Sequence, residues 1–268
     1  MKKFYFTLGL ILLLTSCGYW SNKENTSTTE LKTDSITYKK ATPPFNYSVT
    51  ADFPVNGNAA LVRNIREWIS ESLGGTYQGE LADTNALFSY YAEKYLNEQT
   101  ENEDNDFIQY MLEDSIECEQ SYTFNLTWEN DSLVTYTMSN YYYGGGAHGG
   151  YILLGATFRK VDGRHIGWDM IRKDTDLNED LKKGLKKYFE VTTDEELMEQ
   201  LMLADNWRDA SSLPLPTTEP WIDGDGLHMI YQQYEICSYA QGMPSVDLSM
   251  ERTKEVVTQT VKEGLYKE

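Results

Sequence analysis

The most unusual segment of the sequence is Tyr141–Tyr151, which reads YYYGGGAHGGY. A histidine can act as a catalytic base or a metal ligand. Tyrosine rings with polar tips are favoured on contact surfaces, and they also stack on sugars. Glycines permit positive φ angles and close backbone approach. The candidate binding or structural residues of this loop are Tyr141, Tyr142, Tyr143, Gly144, Gly145, Gly146 and His148.

The catalytic interpretations of this segment lack the context that each requires. A phosphate loop would place a helix and a Lys-Ser or Lys-Thr pair after the glycines, whereas a strand-like run follows here. Neither His165 nor His228 lies at zinc-like spacing from another histidine or a cysteine. We therefore expect no catalytic residue, no metal and no cofactor. His148 is interpreted as a loop imidazole that fixes a turn, with ligand contact as the alternative.

The N-terminus reads as an export signal that ends in a lipid attachment site. Lys2 and Lys3 precede the apolar run Phe4–Leu14, which would span about 16 Å as a helix, roughly half of a bilayer core. Leu14-Thr15-Ser16-Cys17 then resembles a bacterial lipobox. The sequence predicts a signal peptide over residues 1–16 and a lipid on Cys17, with an ordinary secretory signal as the alternative. Gly18 favours the outer membrane if the host has two membranes.

The net charge restricts the classes of partner, and the cysteine content raises the question of a disulfide. The formal net charge is −19, and it becomes −21 once a signal peptide carrying Lys2 and Lys3 is removed. Strong acidity without a basic stripe argues against nucleic acid, whereas it permits electrostatic steering of a basic partner. Two cysteines remain besides Cys17. Cys118 and Cys237 either pair as a disulfide or serve as two separate buried apolar residues.

Residues 17–44 are polar and are predicted to form a flexible tether, followed by a folded domain over residues 45–268. Alternating runs predict strands at Asn46–Phe53, Ser121–Glu129, Leu133–Tyr143 and Tyr151–Lys160. We expect at least one face of the tyrosine-rich strand end to be core. Helix–turn patterns and hairpins, without regular βαβ alternation, predict an α+β fold with a largely antiparallel sheet.

Other segments carry weaker local predictions. Asn97–Asp106 is expected to be an exposed acidic loop, Gln233–Ala240 a strand, and Met250–Leu265 one terminal helix. The DGDG run Asp223–Gly226 is short of the oxygen ligands of an EF-hand and predicts a plain hairpin turn.

Three of these segments together resemble the PdaC/RsiV-like domain of unknown function. YYYGGGAHGGY, followed by a strand and the turn VDGR, is similar to its tyrosine–glycine–glycine–alanine–histidine signature. YEICSYAQGMPSVDLS resembles its closing strand, with Ser238 where the family often has proline, and VTADFPVNGN resembles its preceding segment. The resemblance covers roughly Phe45 to Leu265. Relatives include the lysozyme-sensing part of an anti-sigma factor and an accessory domain of a peptidoglycan deacetylase.

The resemblance implies a non-catalytic binding domain. We therefore expect a cell-envelope lipoprotein that recognises a lysozyme-like protein or an envelope glycan. The alternative is a hydrolase or transferase that acts on envelope polysaccharide. A deep cleft with titratable groups in mutual reach would favour the enzyme, and a shallow aromatic surface would favour binding.

Overall fold

The computed structural model describes residues 30–102, 105–203 and 211–266. The predicted signal peptide 1–16 and the lipid site Cys17 lie outside these described residues. Within them, no helix is long and apolar enough to cross a membrane.

The described chain forms nine strands and seven α-helices. The strands are β1 (Lys32–Thr42), β2 (Phe45–Asn56), β3 (Cys118–Glu129), β4 (Leu133–Tyr143), β5 (Gly150–Arg159), β6 (His165–Ile166), β7 (Trp221–Ile222), β8 (Gly226–Ile230) and β9 (Ser245–Ser249). The helices are α1 (Ala59–Ser72), α2 (Thr84–Asn102), α3 (Asn105–Glu113), α4 (Asn178–Phe189), α5 (Asp194–Gln200), α6 (Met250–Val256) and α7 (Gln259–Leu265).

Strands β1 to β6 form one sheet in sequence order, and β7 to β9 form a second, smaller sheet. Only the β2–β3 pair of the large sheet is parallel. Strand β2 ends at Asn56 and β3 begins at Cys118, so 61 residues that include three helices lie between them. This long connection supplies the crossover that a parallel pair requires. The predicted α+β class with a largely antiparallel sheet is confirmed.

One face of the large sheet is the main core, and it packs against α1 and α2. Alternation along β2 buries Tyr47, Val49, Ala51 and Phe53 on this face. Helix α1 begins at Asn58, whose side chain accepts hydrogen bonds from the amides of Ala60 and Leu61. The apolar stripes of the helices meet the strands in one cluster, which includes Leu61, Ile65, Ile69, Leu87, Phe88, Phe124, Tyr136 and Phe158.

The other face of the large sheet is covered in part by the second sheet. The hydroxyls of Thr135 and Thr157 bind the backbone of Ile222, and a Cβ on Gly155 would lie 2.1 Å from the Trp221 ring. Gly155 is therefore required where β7 crosses β5 closely. Helices α4 to α7 pack around β7–β9 in a second apolar cluster, which includes Leu181, Leu185, Leu227, Met229, Tyr231, Val246 and Val256.

The remainder of that second face, across β1 to β4, is polar. Cross-strand pairing places Thr37 beside Thr50, Thr50 beside Thr123, and Thr123 beside Ser139. A neighbouring row runs from Ser48 through Ser121 to Tyr141 and Tyr151. Residues paired across strands share a face, so these hydroxyls form one surface, which we call the open face.

The predicted tether 17–44 is wrong for its C-terminal part. Lys32–Thr42 is an edge strand that pairs with β2 along its whole length. Its polar composition concealed the alternation of Ile36 and Tyr38, which pack against the main core while the intervening side chains face water. A sheet with one solvated face accepts such a strand.

Three other local predictions are also corrected. Asn97–Asp106 is not a loop, because α2 continues to Asn102 and α3 begins at Asn105. Gln233–Ala240 lacks strand pairing, and its side chains are used instead, as described below. The terminal helix is broken after α6, where Val257 pairs with Ile171 and the Thr258 amide donates to the Met170 carbonyl.

No disulfide joins Cys118 and Cys237. The thiol of Cys118 lies 3.5 Å from the sulfur of Met111 in a small apolar cluster at the start of β3. The Cys237 thiol faces the Gly242 carbonyl at 3.9 Å, and burial raises its pKa. The structure thus favours the second sequence interpretation, two separate buried cysteines.

Candidate functional site

The large sheet has two ends of different character. At one end β4 passes into β5 through residues 144–149, and we call it the aromatic end. At the opposite end lie the β3–β4 turn, the β5–β6 turn and helix α7, and we call it the turn end. The predicted loop Tyr141–Tyr151 builds the aromatic end.

The glycines of this loop serve different purposes. Gly145 has φ +80°, a left-handed conformation in which a side chain is strained. A Cβ on Gly149 would lie 2.5 Å from the Tyr141 ring, and one on Gly150 would lie 2.2 Å from the Tyr142 ring. These two glycines are required because tyrosine rings lie directly over the backbone. Gly144 and Gly146 have open space around them.

His148 is held in place by its contacts yet remains exposed. Its ring stacks on the Tyr239 ring with centroids 3.7 Å apart and an interplanar angle of 20°. Its Nδ1 lies 3.0 Å from the Gly149 carbonyl, which also accepts a hydrogen bond from the Tyr239 hydroxyl at 2.8 Å. These contacts connect the loop to the second segment, and the stacked pair also leaves an aromatic face at the surface.

A second segment, residues 232–241, completes the aromatic end. The side-chain amide of Gln232 accepts from the Leu153 amide and donates to the Leu153 carbonyl. Gln233 accepts from the Tyr151 amide at 2.8 Å. These glutamines satisfy the backbone of β5 where β6 no longer reaches it. The sequence pattern of this segment resembled a strand, so its side-chain pairing with β5 was missed.

The rings of both segments form a shallow surface that we call the aromatic surface. Its members are Tyr141, His148, Tyr151, Tyr234 and Tyr239. The centroids of Tyr141 and Tyr151 are 4.8 Å apart, and those of Tyr234 and Tyr239 are 5.8 Å apart. Tyr151 is 48% exposed and Tyr234 is 62% exposed. Exposed rings held by neighbouring rings are typical of contact surfaces.

The predicted loop residues therefore divide between two sides. Tyr141 and His148 belong to the aromatic surface, whereas Tyr142 lies exposed on the opposite face over Gly150. Tyr143 donates its hydroxyl hydrogen to the Gly146 carbonyl and closes the loop. The expectation that one face of this strand end is core is wrong, because Tyr141 and Tyr143 are only half-buried.

Local electrostatics at the aromatic surface is dominated by phenols. Desolvation raises the pKa of Tyr141, and the nearby phenol of Tyr151 and carboxylate of Glu119 act in the same direction. The Tyr141 phenol therefore remains neutral at physiological pH. The surface offers ring faces, hydroxyls and amides to a ligand.

A deeper site lies at the turn end, where a cleft of about 570 Å³ opens beneath α7. Leu133, Ile166 and Val261 form its apolar part. Its two arginines are already neutralised, since Arg159 pairs with Asp162 and Arg164 pairs with Asp169. The cleft has the volume of a small-molecule site, but its cations are occupied by intramolecular ion pairs.

A histidine–carboxylate cluster, formed by Asp223, His228 and Asp247, lies on the second sheet. The ring nitrogens of His228 lie 2.8 Å from Asp223 Oδ1 and 2.8 Å from Asp247 Oδ1. Ser245 donates to the other oxygen of Asp247 at 3.3 Å, so its hydroxyl contacts the acid and not the imidazole. In a nucleophile–base–acid triad the hydroxyl would contact the imidazole, so this arrangement is not such a triad. The DGDG run forms the predicted turn and supplies Asp223 to this cluster.

No group of three or more histidine, cysteine or acidic side chains within the described ranges is arranged to hold a metal ion.

The fold is similar to two solved structures of DUF3298 family proteins. One, from Bacteroides fragilis, has 21% sequence identity and a TM-score of 0.70, and the match covers 89% of this chain and 98% of that one. The other, from Pseudomonas aeruginosa, has 12% identity and a TM-score of 0.56, covering 87% and 96%. No family model matches the chain, and no curated protein matches it. These similarities establish the fold.

Proposed function

We propose that this chain is a cell-envelope lipoprotein, anchored through Cys17, whose PdaC/RsiV-like domain binds an envelope partner without catalysing a reaction on it. The aromatic surface is the observation that supports this function. It joins two segments that are distant in sequence, and it keeps rings exposed at a position where packing does not require them. The partner is a lysozyme-like protein or an envelope glycan.

The shape of the two candidate sites favours binding over catalysis. The aromatic surface is shallow, and no pair of carboxylates from the described part of the chain contacts its histidine. The cleft at the turn end is lined by three acids, Asp131, Asp169 and Glu263, but Asp169 is engaged with Arg164 and Glu263 accepts a hydrogen bond from Gln259. Preorganised donors and an available base are what an enzyme would need there.

The test is a pull-down from envelope extract with the tagged full chain. Tyr151→Ala and Tyr234→Ala should each reduce recovery of the partner, while both proteins keep the melting temperature of the wild type. Tyr266→Ala is the matched control, because Tyr266 is 61% exposed and follows α7 at the turn end. Equal recovery with all three variants would overturn the proposed binding surface.

The anchor is tested separately by metabolic labelling with a fatty-acid analogue. Cys17→Ser should abolish incorporation of the label and release the protein from the membrane fraction. Unchanged labelling of that variant would contradict lipid attachment at Cys17 while leaving the binding proposal intact.

A polysaccharide hydrolase or transferase is the second candidate, and the histidine–carboxylate cluster is the observation that favours it. His228 between two carboxylates is the kind of group that can transfer protons. Turnover of an envelope polysaccharide that disappears in His228→Gln, with folding preserved, would establish this candidate in place of the binding function.

A further inference from the structure

We infer that the partner of the aromatic surface is a neutral polysaccharide strand, whose sugar rings stack on Tyr151 and Tyr234 and whose hydroxyls extend over the open face. This inference rests on the proposed function and selects the glycan from its two partner classes. Four features of the molecule support it.

The first feature is the absence of charge in an otherwise acidic protein. The segment from Ser132 to Phe158 contains no Asp, Glu, Lys or Arg, and neither does the segment from Ile236 to Val246. Both contribute to the aromatic end, although 24% of the whole chain is charged. A surface that binds a basic protein would instead carry acidic side chains among its rings.

The nearest carboxylates lie at the rim or are already engaged. Glu119 pairs across the sheet with Tyr143, beside the aromatic surface. Glu235 lies within the second segment, but it accepts hydrogen bonds from the amides of Thr217 and Gln232, both at 2.7 Å. Both segments therefore border the rings with neutral groups, whereas Lys39 of β1 lies beside Ser48 at the far end of the open face.

The second feature is the arrangement of hydroxyls next to the rings. The row Ser48, Ser121, Tyr141 and Tyr151 crosses four adjacent strands of the open face. At about 4.8 Å between strands, three intervals span about 14 Å, long enough for several linked sugar rings. The row with Thr50, Thr123 and Ser139 lies beside it. Hydroxyls that donate and accept suit the hydroxyls of a sugar.

The third feature is the conformation of Tyr234, which has φ +66° and is the most exposed tyrosine of the aromatic surface. A bulky residue in the left-handed region is strained, and such strain concentrates at ligand sites. Glycine or asparagine would fit this backbone with less strain, so packing within the chain does not account for a tyrosine here.

The fourth feature is the orientation of the flanking amides. Gln232 and Gln233 are fixed through hydrogen bonds to β5 directly beside Tyr151. They fix the backbone from which the Tyr151 side chain projects, and the Tyr141 ring contacts the Tyr151 ring. Aromatic groups that are already rigid lose little conformational entropy when they bind a ligand. A low entropic cost matters most for a polyhydroxylated ligand, whose individual contacts with the protein are weak.

The experiment is titration calorimetry of the full chain with two probes, a β-linked N-acetylglucosamine hexamer and a β-linked glucose hexamer. Saturable binding of at least one hexamer is expected. Tyr151→Ala and Tyr234→Ala should each weaken its affinity by about tenfold, the effect of losing one stacked ring. Tyr266→Ala should retain the wild-type affinity. Because the ligand is neutral, the dissociation constant should change less than about twofold between roughly 50 and 500 mM salt.

Two results would overturn the glycan inference. One is the absence of saturable binding of either hexamer up to about 5 mM, a concentration that still detects weak millimolar affinity. The other is hexamer binding that Tyr151→Ala and Tyr234→Ala leave unchanged. If the pull-down instead recovers a basic protein that both variants lose, the aromatic surface remains a binding site and only the glycan inference fails.

Discussion

The two ends of the large sheet satisfy their polar groups with different kinds of interaction. At the turn end, polar groups are satisfied by ion pairs, with Lys160 bound to Glu129 and Arg159 bound to Asp162. At the aromatic end, they are satisfied by hydroxyls, amides and backbone, as in the Tyr239 bond to Gly149. The turn end thus pairs its charges internally, while the loop and the second segment at the aromatic end carry few charges and leave ring faces exposed.

This difference separates the part of the molecule that holds it together from the part that is available to a ligand. Ion pairs at a surface add little stability individually and are sensitive to salt. Ring stacking and neutral hydrogen bonds are much less sensitive to it. Changes in salt and pH should therefore act on the turn end and the second sheet, while the aromatic end responds to changes in ring shape.

The largest expected effect is on the turn end. Gly163→Ala should lower the free energy of unfolding by about 2–4 kcal/mol. Gly163 has φ +71°, and its Cβ would lie 2.6 Å from the backbone of Ala60 and Leu61. Chemical denaturation measures the change. Gly144→Ala is the control at the aromatic end, where a Cβ meets nothing within 4 Å. Equal destabilisation by both substitutions would contradict the assignment of tight backbone packing to the turn end.

A smaller loss is expected within the aromatic end itself. Gly145→Val places a β-branched side chain at φ +80°, 3.2 Å from the sulfur of Met111. Because Met111 can shift, the cost arises mainly from the backbone and should be about 1–3 kcal/mol in denaturation experiments. Wild-type stability of this variant would show that the loop relaxes without its left-handed glycine.

Replacing Tyr234 should reduce binding without reducing stability. Tyr234→Gly relieves a strained φ of +66° and should leave stability unchanged or raise it by up to about 1 kcal/mol. Recovery of the partner in the pull-down should nevertheless fall, because the exposed ring is lost. A variant that is clearly less stable than the wild type would mean that the ring supports the fold, and the distinction between the two ends would weaken.

The smallest effect concerns pH and the histidine–carboxylate cluster. Burial opposes the charged ring, but the carboxylates of Asp247 and Asp223 outweigh it and raise the pKa of His228 above its ordinary 6.5. His228 thus stabilises the fold fully below about pH 6.5, and this contribution disappears as pH rises through its folded pKa. His228 and Lys187 also hold the pKa of Asp247 below 3.8, with the hydrogen bond from His228 the larger cause. The stability from Asp247 is therefore lost only as pH falls through that lower value.

The measurement is the unfolding free energy of wild type and His228→Gln between about pH 5 and pH 9. The difference between the two proteins should be largest at the acid end and shrink toward the alkaline end. Across the same range, partner binding by the aromatic surface should follow the folded fraction alone. A difference that grows with pH would reverse the sign of this argument.

Local patterns in the sequence predicted the elements that depend on local physics. The alternating strands at Asn46–Phe53 and Leu133–Tyr143 and the turn at Asp223–Gly226 all form where expected. The edge strand β1 was missed because its polarity, which a solvated sheet face permits, resembles that of a disordered tether. Tertiary pairing, which composition does not encode, decided its structure.

The candidate site was only half predictable for a similar reason. Tyr141 and His148 stand out in a compact motif, so sequence reasoning selected them. Tyr234 and Tyr239 lie in a segment whose pattern resembled a strand, and it is tertiary bonds to β5 and to the loop that bring it there. The histidine–carboxylate cluster joins residues from a turn and two strands, so no pattern along the sequence could have predicted it.

The direction of strand β1 determines where the described chain enters the fold. Lys32 pairs with Asn56 at the turn end, so the chain enters at the end of the sheet opposite the aromatic surface. The opposite end of β4 lies about 35 Å away, at about 3.3 Å for each of its 11 residues. The sheet therefore separates the point where the described chain enters the fold from the stacked tyrosines, which under the proposed attachment at Cys17 lie at the end farther from the tether.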